Sequence, residues 1–525
     1  MGAMHAGGAA PESRLWVALL GLAVFAALLR GLTYTGFFGS DEVTYTIAAV
    51  RVLDGDWTLD DYVGANRVGV NLPMAAFMAV FGRNEFGAAL YSLLCSVAEV
   101  LLVAWAGWRL LGPRVGIVAG ILLAALPTHM HFGGRIMADA PLALLIGAAF
   151  VLFAEGEMRR WSTGFALAGL CAGLSFLVKP VTVFVFGILL AYPLVARRWD
   201  WRWMWMAAGF ALAMLANGLL YMVLTGRFWY VFEVMSERRQ SGYLEAGTAA
   251  GEILDSPALY IDYLFVRIYH TGLLGWLAVA GLWLWWRGRA NADPAGRTAL
   301  RFVVFWALGL LAILSLLPVS LRPLAWVPKQ TNYMLIFVAP LALLAALALA
   351  ALPRRALAVA MVGIVALGVG FGLLHQAKVR TFVANSPATL EVARSLPEPA
   401  AVHVMSNAYR AGQFERALGR ADAMARIRPS SALRTADINQ TRWVVIDAET
   451  LEWDALPPLK RADAAPACWQ VERRFQGQPQ GAGVGLVRAA RSVVEPLPGG
   501  AGLGERLRAL SEPRHAVLYR LPPGC

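Results

Sequence analysis

The chain of 525 residues is 58% hydrophobic and 15% charged, with a formal net charge of +12 and a mean hydropathy of +0.56. These values exclude an ordinary soluble globular protein and indicate a polytopic membrane protein. The basic residues cluster in short connections between apolar runs, so the positive charge reads as a topology signal, and nucleic acid is not an expected partner.

Apolar runs close to the ~20 residues that a helix needs to cross a bilayer recur along the chain. They predict spans near 15–32, 86–108, 115–131, 139–154, 162–178, 180–195, 203–223, 263–286, 302–318, 332–352 and 355–374. The opening "MGAMHAGGAAPESR" reads as a short tail before an uncleaved first helix. Arginines crowd alternate connections: Arg14, Arg109 and Arg114, Arg159 and Arg160, Arg197 and Arg198, Arg287 and Arg289, Arg354 and Arg355. The positive-inside rule then places the N-terminus inside and the C-terminal part outside.

The first exterior loop, 33–84, carries six acids against three arginines. "DEVTYTIAAVRVLDG" has helical apolar spacing at Val43, Ile47, Val50 and Leu53. "NLPMAAFMAVFG" predicts a second short helix with Pro73 near its start, where proline is tolerated. Both suit helices lying at the membrane interface. A second exterior loop, about 225–262, contains "SERRQSGYLEAG".

Beyond 375 the composition changes. "AAVHVMSN" and "RWVVIDAE" predict buried strands with a helix, "RAGQFERALGRA", between them. "CWQVERRF" and "HAVLYRL" predict later strands, separated by the Gly- and Pro-rich "GQPQGAGVG" and "EPLPGGAGLG". The fold class expected is an α-helical polytopic membrane domain, 1–375, followed by a small exterior α/β domain, 376–525. That domain carries no dinucleotide-type glycine fingerprint, and no catalytic role is expected of it. Of the four cysteines, Cys95 and Cys171 fall in apolar spans as packing residues. Cys468 and Cys525 both fall in the exterior part, where a disulfide between them is expected.

Ionisable residues gather at the outer boundary. Asp41 and Glu42 follow the first span in "FFGSDEVTY", and Arg135 and Asp139 lie in "GGRIMADAPLALL". Lys179 lies in "FLVKP", while Arg322 and Lys329 precede the tenth span in "SLRPLAWVPKQTNYML". Only four of the 46 basic residues are lysines, and two of those four stand at this face. A lysine is a compact point charge suited to a phosphate or to a tight space. Asp41 and Asp139 also have a plainer reading as helix N-caps, and Arg135 and Lys179 as interface anchors. Glu99 lies inside the second span, where a charge needs a partner that the sequence does not identify.

Carboxylates and cations together at a headgroup plane suit chemistry on a phosphorylated lipid. A carboxylate would take the proton from an acceptor hydroxyl, and the cations would stabilise a departing lipid phosphate. An exterior enzyme needs an activated donor carried by the membrane itself, and a polyprenyl-phosphate sugar is such a donor. Asp41 and Glu42 also offer oxygen ligands to a divalent metal; no other cofactor is expected.

The order "GSDEVTYTIAAVRVLDGDW", "FGRNEFGAAL", "GGRIMADAPLALL", "FLVKP" resembles bacterial members of the GT-C superfamily. The nearest likeness is to the glycosyltransferase 39 family of protein mannosyltransferases and aminoarabinose transferases, over roughly residues 15–375. The resemblance implies an enzyme of the bacterial cytoplasmic (inner) membrane that transfers a sugar from a polyprenyl-phosphate donor to a lipid, glycan or protein acceptor. It implies Asp41 as the base, Asp139 as the second acid and Lys179 as the residue meeting the donor phosphate. It also implies Lys329 and Tyr333 facing the cavity. Where the aminoarabinose transferases carry "KPPL", this chain reads "NRVGVNLP", with Arg67 in the place of the lysine. That departure leaves the sugar and the acceptor open.

Two other readings compete. A transporter or flippase of lipid-linked sugars would place its ionisable groups near the bilayer midplane, often in two repeated halves, and no repeat is visible here. A phosphotransferase or ligase with a histidine or serine nucleophile would draw on His129, His131 or His270.

Overall fold

The computed structural model describes residues 12–59, 63–234, 256–288, 294–321, 324–327, 329–397, 400–420, 423–451 and 465–525. The first eleven residues, "SERRQSGYLEAG" and Arg322 lie outside them. The chain divides into two compact units. One comprises 1–31, 57–73 and 90–371; the other comprises 32–56, 74–89 and 372–525.

The first unit is a helical membrane domain. Among the described residues seven helices are long and apolar enough to cross a membrane. They are Ser13–Thr33, Glu85–Leu111, Asp139–Arg159, Trp201–Thr225, Pro294–Leu316, Thr331–Ala350 and Arg354–Ser395. Thr331–Ala350 is enclosed by its neighbours, whereas Trp201–Thr225 leaves Leu212, Leu215, Leu219 and Val223 exposed on one face. Such an apolar stripe is stable only against lipid.

Three predicted segments are broken rather than straight, and a fourth ends early. The third span bends by 63° between Pro113–Ala124 and Pro127–Gly133, with Pro127 opening the second piece. The sixth consists of a short turn, Pro180–Thr182, and two short helices, Val183–Leu190 and Tyr192–Ala196. The region 263–286 breaks into Leu259–Phe265, Ile268–Thr271 and Leu274–Gly288, with Gly272 at φ 57° between the last two. The span predicted to end at 318 stops at Leu316 and runs into a hairpin, β1 (Pro318–Leu321) and β2 (Leu324–Trp326).

Pro73 does not open its helix, which begins at Val68 and ends at Phe81. Proline inside a helix strands the carbonyl four residues earlier. Here that carbonyl, of Gly69, accepts a hydrogen bond from the Tyr91 hydroxyl at 3.1 Å.

The partners that the sequence could not supply for Glu99 lie on the neighbouring spans. His129 Nε2 is 3.0 Å from Glu99 Oε2, and the Arg30 guanidinium meets His129 Nδ1. Arg30 also donates to Ser96 Oγ at 3.0 Å and to the Ala124 carbonyl at 2.6 Å, just before the bend. Arg30, Glu99 and His129 are all fully buried. A charged group in an apolar interior persists only when it is paired in this way.

The second unit contains a mixed sheet in the order β4 (Ile427–Pro429), β3 (Val402–Met405), β5 (Arg442–Asp447), β7 (Ala516–Leu521), β6 (Gln470–Phe475). β3 runs parallel to β4 and β5, and β7 runs antiparallel to β5 and β6. Val402, Val404, Val445 and Leu518 form its core with Leu390 and Ala411 from flanking helices, and Phe37 packs against them. The predicted strands are present, and β4 is an addition. The two Gly-rich pieces, read as separators, instead open helices, Ala482–Val494 and Ala501–Ala509. Gly483 is needed there because a Cβ would come within 2.0 Å of the Leu373 carbonyl oxygen. Cys468 and Cys525 are joined by a disulfide, with Cα atoms 5.9 Å apart.

Candidate functional site

Two groups of candidate residues occur, one in each unit. In the membrane unit, Asp139 is the first residue of its helix, and the N-cap position belongs to Ala138. The carboxylate therefore does not cap. It points to Lys179, whose ammonium lies 2.7 Å from Asp139 Oδ1. Lys179 ends the helix Ser162–Val178 in extended conformation, immediately before Pro180. Proline disfavours helix in the residue before it, which explains the break and turns the lysine inward. Both side chains are almost completely enclosed, so Lys179 is not an interface anchor.

The Lys179 ammonium also sits over the ring of Tyr333, 4.4 Å from its centroid. Such a contact stabilises a cation that has left water. Asn332 and the Arg67 guanidinium act on Asp139 from two further segments. Arg67 precedes the helix Val68–Phe81 and lines a cavity with Asn66, Leu177, Pro180, Asn217 and Tyr221. Tyr333 in turn lines an apolar cavity with Phe184, Leu314, Val327 and Ile336. A cationic position thus shares one residue, Tyr333, with an apolar space.

Lys329 is fully buried and donates to the Val327 carbonyl at 3.1 Å. Arg135 is buried in the turn after Gly133, with its guanidinium 5.9 Å from the Phe132 ring. Asn332 was not singled out by sequence reasoning, although it stands next to Tyr333 in the same motif. His129 is no free nucleophile, since both ring nitrogens are engaged by Arg30 and Glu99. His270 packs against the rings of Tyr263 and Tyr269 in tilted contacts.

In the second unit, the helix Asp41–Leu53 has Ser40 as its N-cap, so Asp41 is not the cap either. Glu42 is buried, and its carboxylate accepts the amides of Phe38 and Gly39, both at 2.6 Å, and of Ser40 at 3.2 Å. It holds its own loop closed. Asp41 is half-buried and receives the Tyr45 hydroxyl on Oδ2 at 3.2 Å. Among the described residues no three His, Cys, Asp or Glu side chains come together. Glu42, moreover, already spends its oxygens on amides.

Comparison with known proteins agrees with this architecture. The family model for dolichyl-phosphate-mannose-protein mannosyltransferase matches residues 69–221, which include Arg135, Asp139 and Lys179. An undecaprenyl phosphate-alpha-4-amino-4-deoxy-L-arabinose arabinosyl transferase of Pseudomonas aeruginosa is 27% identical over 199 residues. That match spans 35% of this chain and 35% of the relative, about a third of each. Among solved structures, ArnT from Cupriavidus metallidurans in the apo state aligns with a TM-score of 0.55 at 16% identity, covering 88% of this chain and 97% of that one. The same protein bound to undecaprenyl phosphate aligns with a TM-score of 0.55 at 14% identity, over 83% and 94% of the two chains. The class defined is the GT-C membrane fold with a small C-terminal sheet domain. Within the aligned third of its length, the sequence is similar to that of the Pseudomonas aeruginosa aminoarabinose transferase.

Proposed function

We propose that this protein transfers a sugar from a polyprenyl-phosphate donor to an acceptor hydroxyl at the outer face of the membrane. The observation that carries the proposal is the position of Lys179. Its ammonium has three donors, of which Asp139 takes one, and the Tyr333 ring beneath it opens onto an apolar cavity. A lipid phosphate needs that combination: a cation for its head and an apolar wall for its chain. Arg67 adds a second positive charge near Asp139. The relatives named for undecaprenyl phosphate support the same donor class.

In the reaction, Asp41 takes the proton of the acceptor hydroxyl while that oxygen bonds to the anomeric carbon. The bond from the anomeric carbon to the phosphate oxygen breaks, and the lipid phosphate leaves with the electron pair. Lys179 and Arg67 stabilise the charge that develops on it, an effect worth most in a site without water. Glu42 keeps the loop closed so that Asp41 is held in one direction. The Cys468–Cys525 disulfide supports an outer location for the C-terminal domain, because disulfides persist in oxidising compartments.

The test is reconstitution in liposomes with undecaprenyl-phosphate sugars and a panel of hydroxyl acceptors. Acceptor-dependent release of undecaprenyl phosphate, lost in Asp41→Asn, is the expected result. Movement of intact donor between leaflets without any release would overturn the proposal in favour of a flippase.

A further inference from the structure

We infer that the C-terminal domain is the part of the protein that positions Asp41, acting through Asn407 and Arg410. This rests on the reading of Asp41 as the base.

Asn407 follows β3 at its carboxyl end, and Arg410 lies in the first turn of the helix Ala408–Ala417. From β3 the chain passes to β4 on one side and then to β5 on the other. Such a switch point leaves a crevice beyond the strand ends, where open α/β sheets bind ligands. Here a loop of the same chain is bound there. Asn407 Nδ2 donates to the Phe38 carbonyl at 2.6 Å. One guanidinium nitrogen of Arg410 donates to the Ser40 carbonyl at 3.0 Å and to Thr44 Oγ1 at 3.2 Å. These contacts bracket Asp41, one residue before it and three after.

The loop is shaped to fit. Gly39 stands at φ +94° directly under the Asn407 amide, where a Cβ would fall 2.0 Å from its nitrogen. Phe37 packs on Phe414, and Phe38 on Phe382, each with ring centroids 5.5 Å apart. Asn407 is itself fixed from within the domain: its backbone N–H donates to Thr450 Oγ1 at 3.1 Å, and that hydroxyl donates to Asp447 Oδ2 at 2.6 Å. Asn385 donates to Asp447 Oδ1 at 2.8 Å. A buried network that is satisfied in this way is rigid. It runs from the end of β5 to the residue before Gly39, without adding a chemical group of its own. Asn407 and Arg410 are therefore positioning residues.

The experiment uses the full-length protein with Arg410→Ala, Arg410→Lys and Asn407→Ala, alone and combined with Asp41→Asn. Hydrogen exchange reads the loop independently of activity. Arg410→Ala and Asn407→Ala should speed exchange at Phe38, Gly39 and Ser40 while β3 and β5 stay protected. Misplacing a reacting group by about 1 Å costs on the order of 10²-fold, so kcat should fall by that order with the KM for donor unchanged. Arg410→Lys should recover part of the loss, and Arg410→Ala should lower nothing further in an Asp41→Asn background. Unchanged loop exchange, or faster exchange with unchanged kcat, would overturn the inference. If the wild-type protein transfers no sugar, the functional reading fails on its own, and exchange still decides whether the domain holds the loop.

Discussion

The ammonium of Lys179 lies 2.7 Å from the carboxylate of Asp139, 40 residues away in the chain, and both are buried. A lysine that only meets a donor phosphate at the membrane boundary would be replaceable by alanine with more harm to donor binding than to folding. The pairing changes that expectation. Removing one partner of a buried ion pair leaves the other uncompensated, at a cost of about 3–5 kcal/mol. Lys179→Ala should therefore lower the melting temperature as well as donor affinity. The double variant Lys179→Met with Asp139→Leu should recover the stability but not the transfer. Thermal unfolding in detergent, with donor binding measured in parallel, checks both halves.

Asp41→Asn separates chemistry from folding cleanly. Ser40 holds the N-cap position, so the substitution removes no cap, and Asn keeps the contact with the Tyr45 hydroxyl. The melting temperature should not change, while kcat falls by roughly 10²- to 10⁴-fold, the usual worth of a positioned general base. Turnover near that of wild type would remove Asp41 from the mechanism.

Arg30, Glu99 and His129 form a buried group that the proposed reaction does not use. His129→Ala leaves both Arg30 and Glu99 short of a partner and should destabilise the membrane domain by about 3–5 kcal/mol. Glu99→Gln keeps a hydrogen-bond acceptor for His129 and should cost much less. Comparing the two by thermal unfolding tests whether the group pins the bent span.

The Cys468–Cys525 bridge closes a loop with a sequence separation of 57. In the chain-entropy view such a link stabilises by roughly 4 kcal/mol. Cys468→Ser should lower the melting temperature of the C-terminal domain, with little effect on the membrane helices. Mass analysis of denatured, unreduced protein should find only Cys95 and Cys171 as thiols.

The C-terminal domain should lose stability on acidification. Burial lowers the pKa of His403, and the nearby Arg442 and Arg428 guanidinium groups add to the effect. The unfolded chain then binds a proton that the folded one refuses. The contribution is complete above the unfolded value of about 6.5 and is lost as pH falls through the lower folded value. Asp447 acts in the opposite sense. Burial raises its carboxyl, so stability is lost as pH rises from about 3.9 towards the folded value. Melting curves between pH 7 and pH 5 should fall towards acid, and His403→Gln should flatten that fall.

What the sequence determined by itself is local or compositional. Apolar length alone marks seven membrane helices but not the breaks in 115–131, 180–195 and 263–286, short apolar runs mark the buried strands β3 and β5, and two cysteines in one domain leave a single pairing. Adjacent acids in an apolar loop and lysines in an arginine-rich chain single out Asp41, Glu42, Lys179 and Lys329. Tertiary structure decided which partner each of these meets. Whether Asp41 and Asp139 cap helices turned on one residue of register, which local propensity leaves open. The partners of Glu99 lie 30 and 69 positions away, on helices that sequence periodicity cannot orient. The hold of Arg410 on Ser40 spans 370 residues. An arginine on an ordinary amphipathic helix carries no signal of such a contact, because the contact depends on chain segments brought together only by folding.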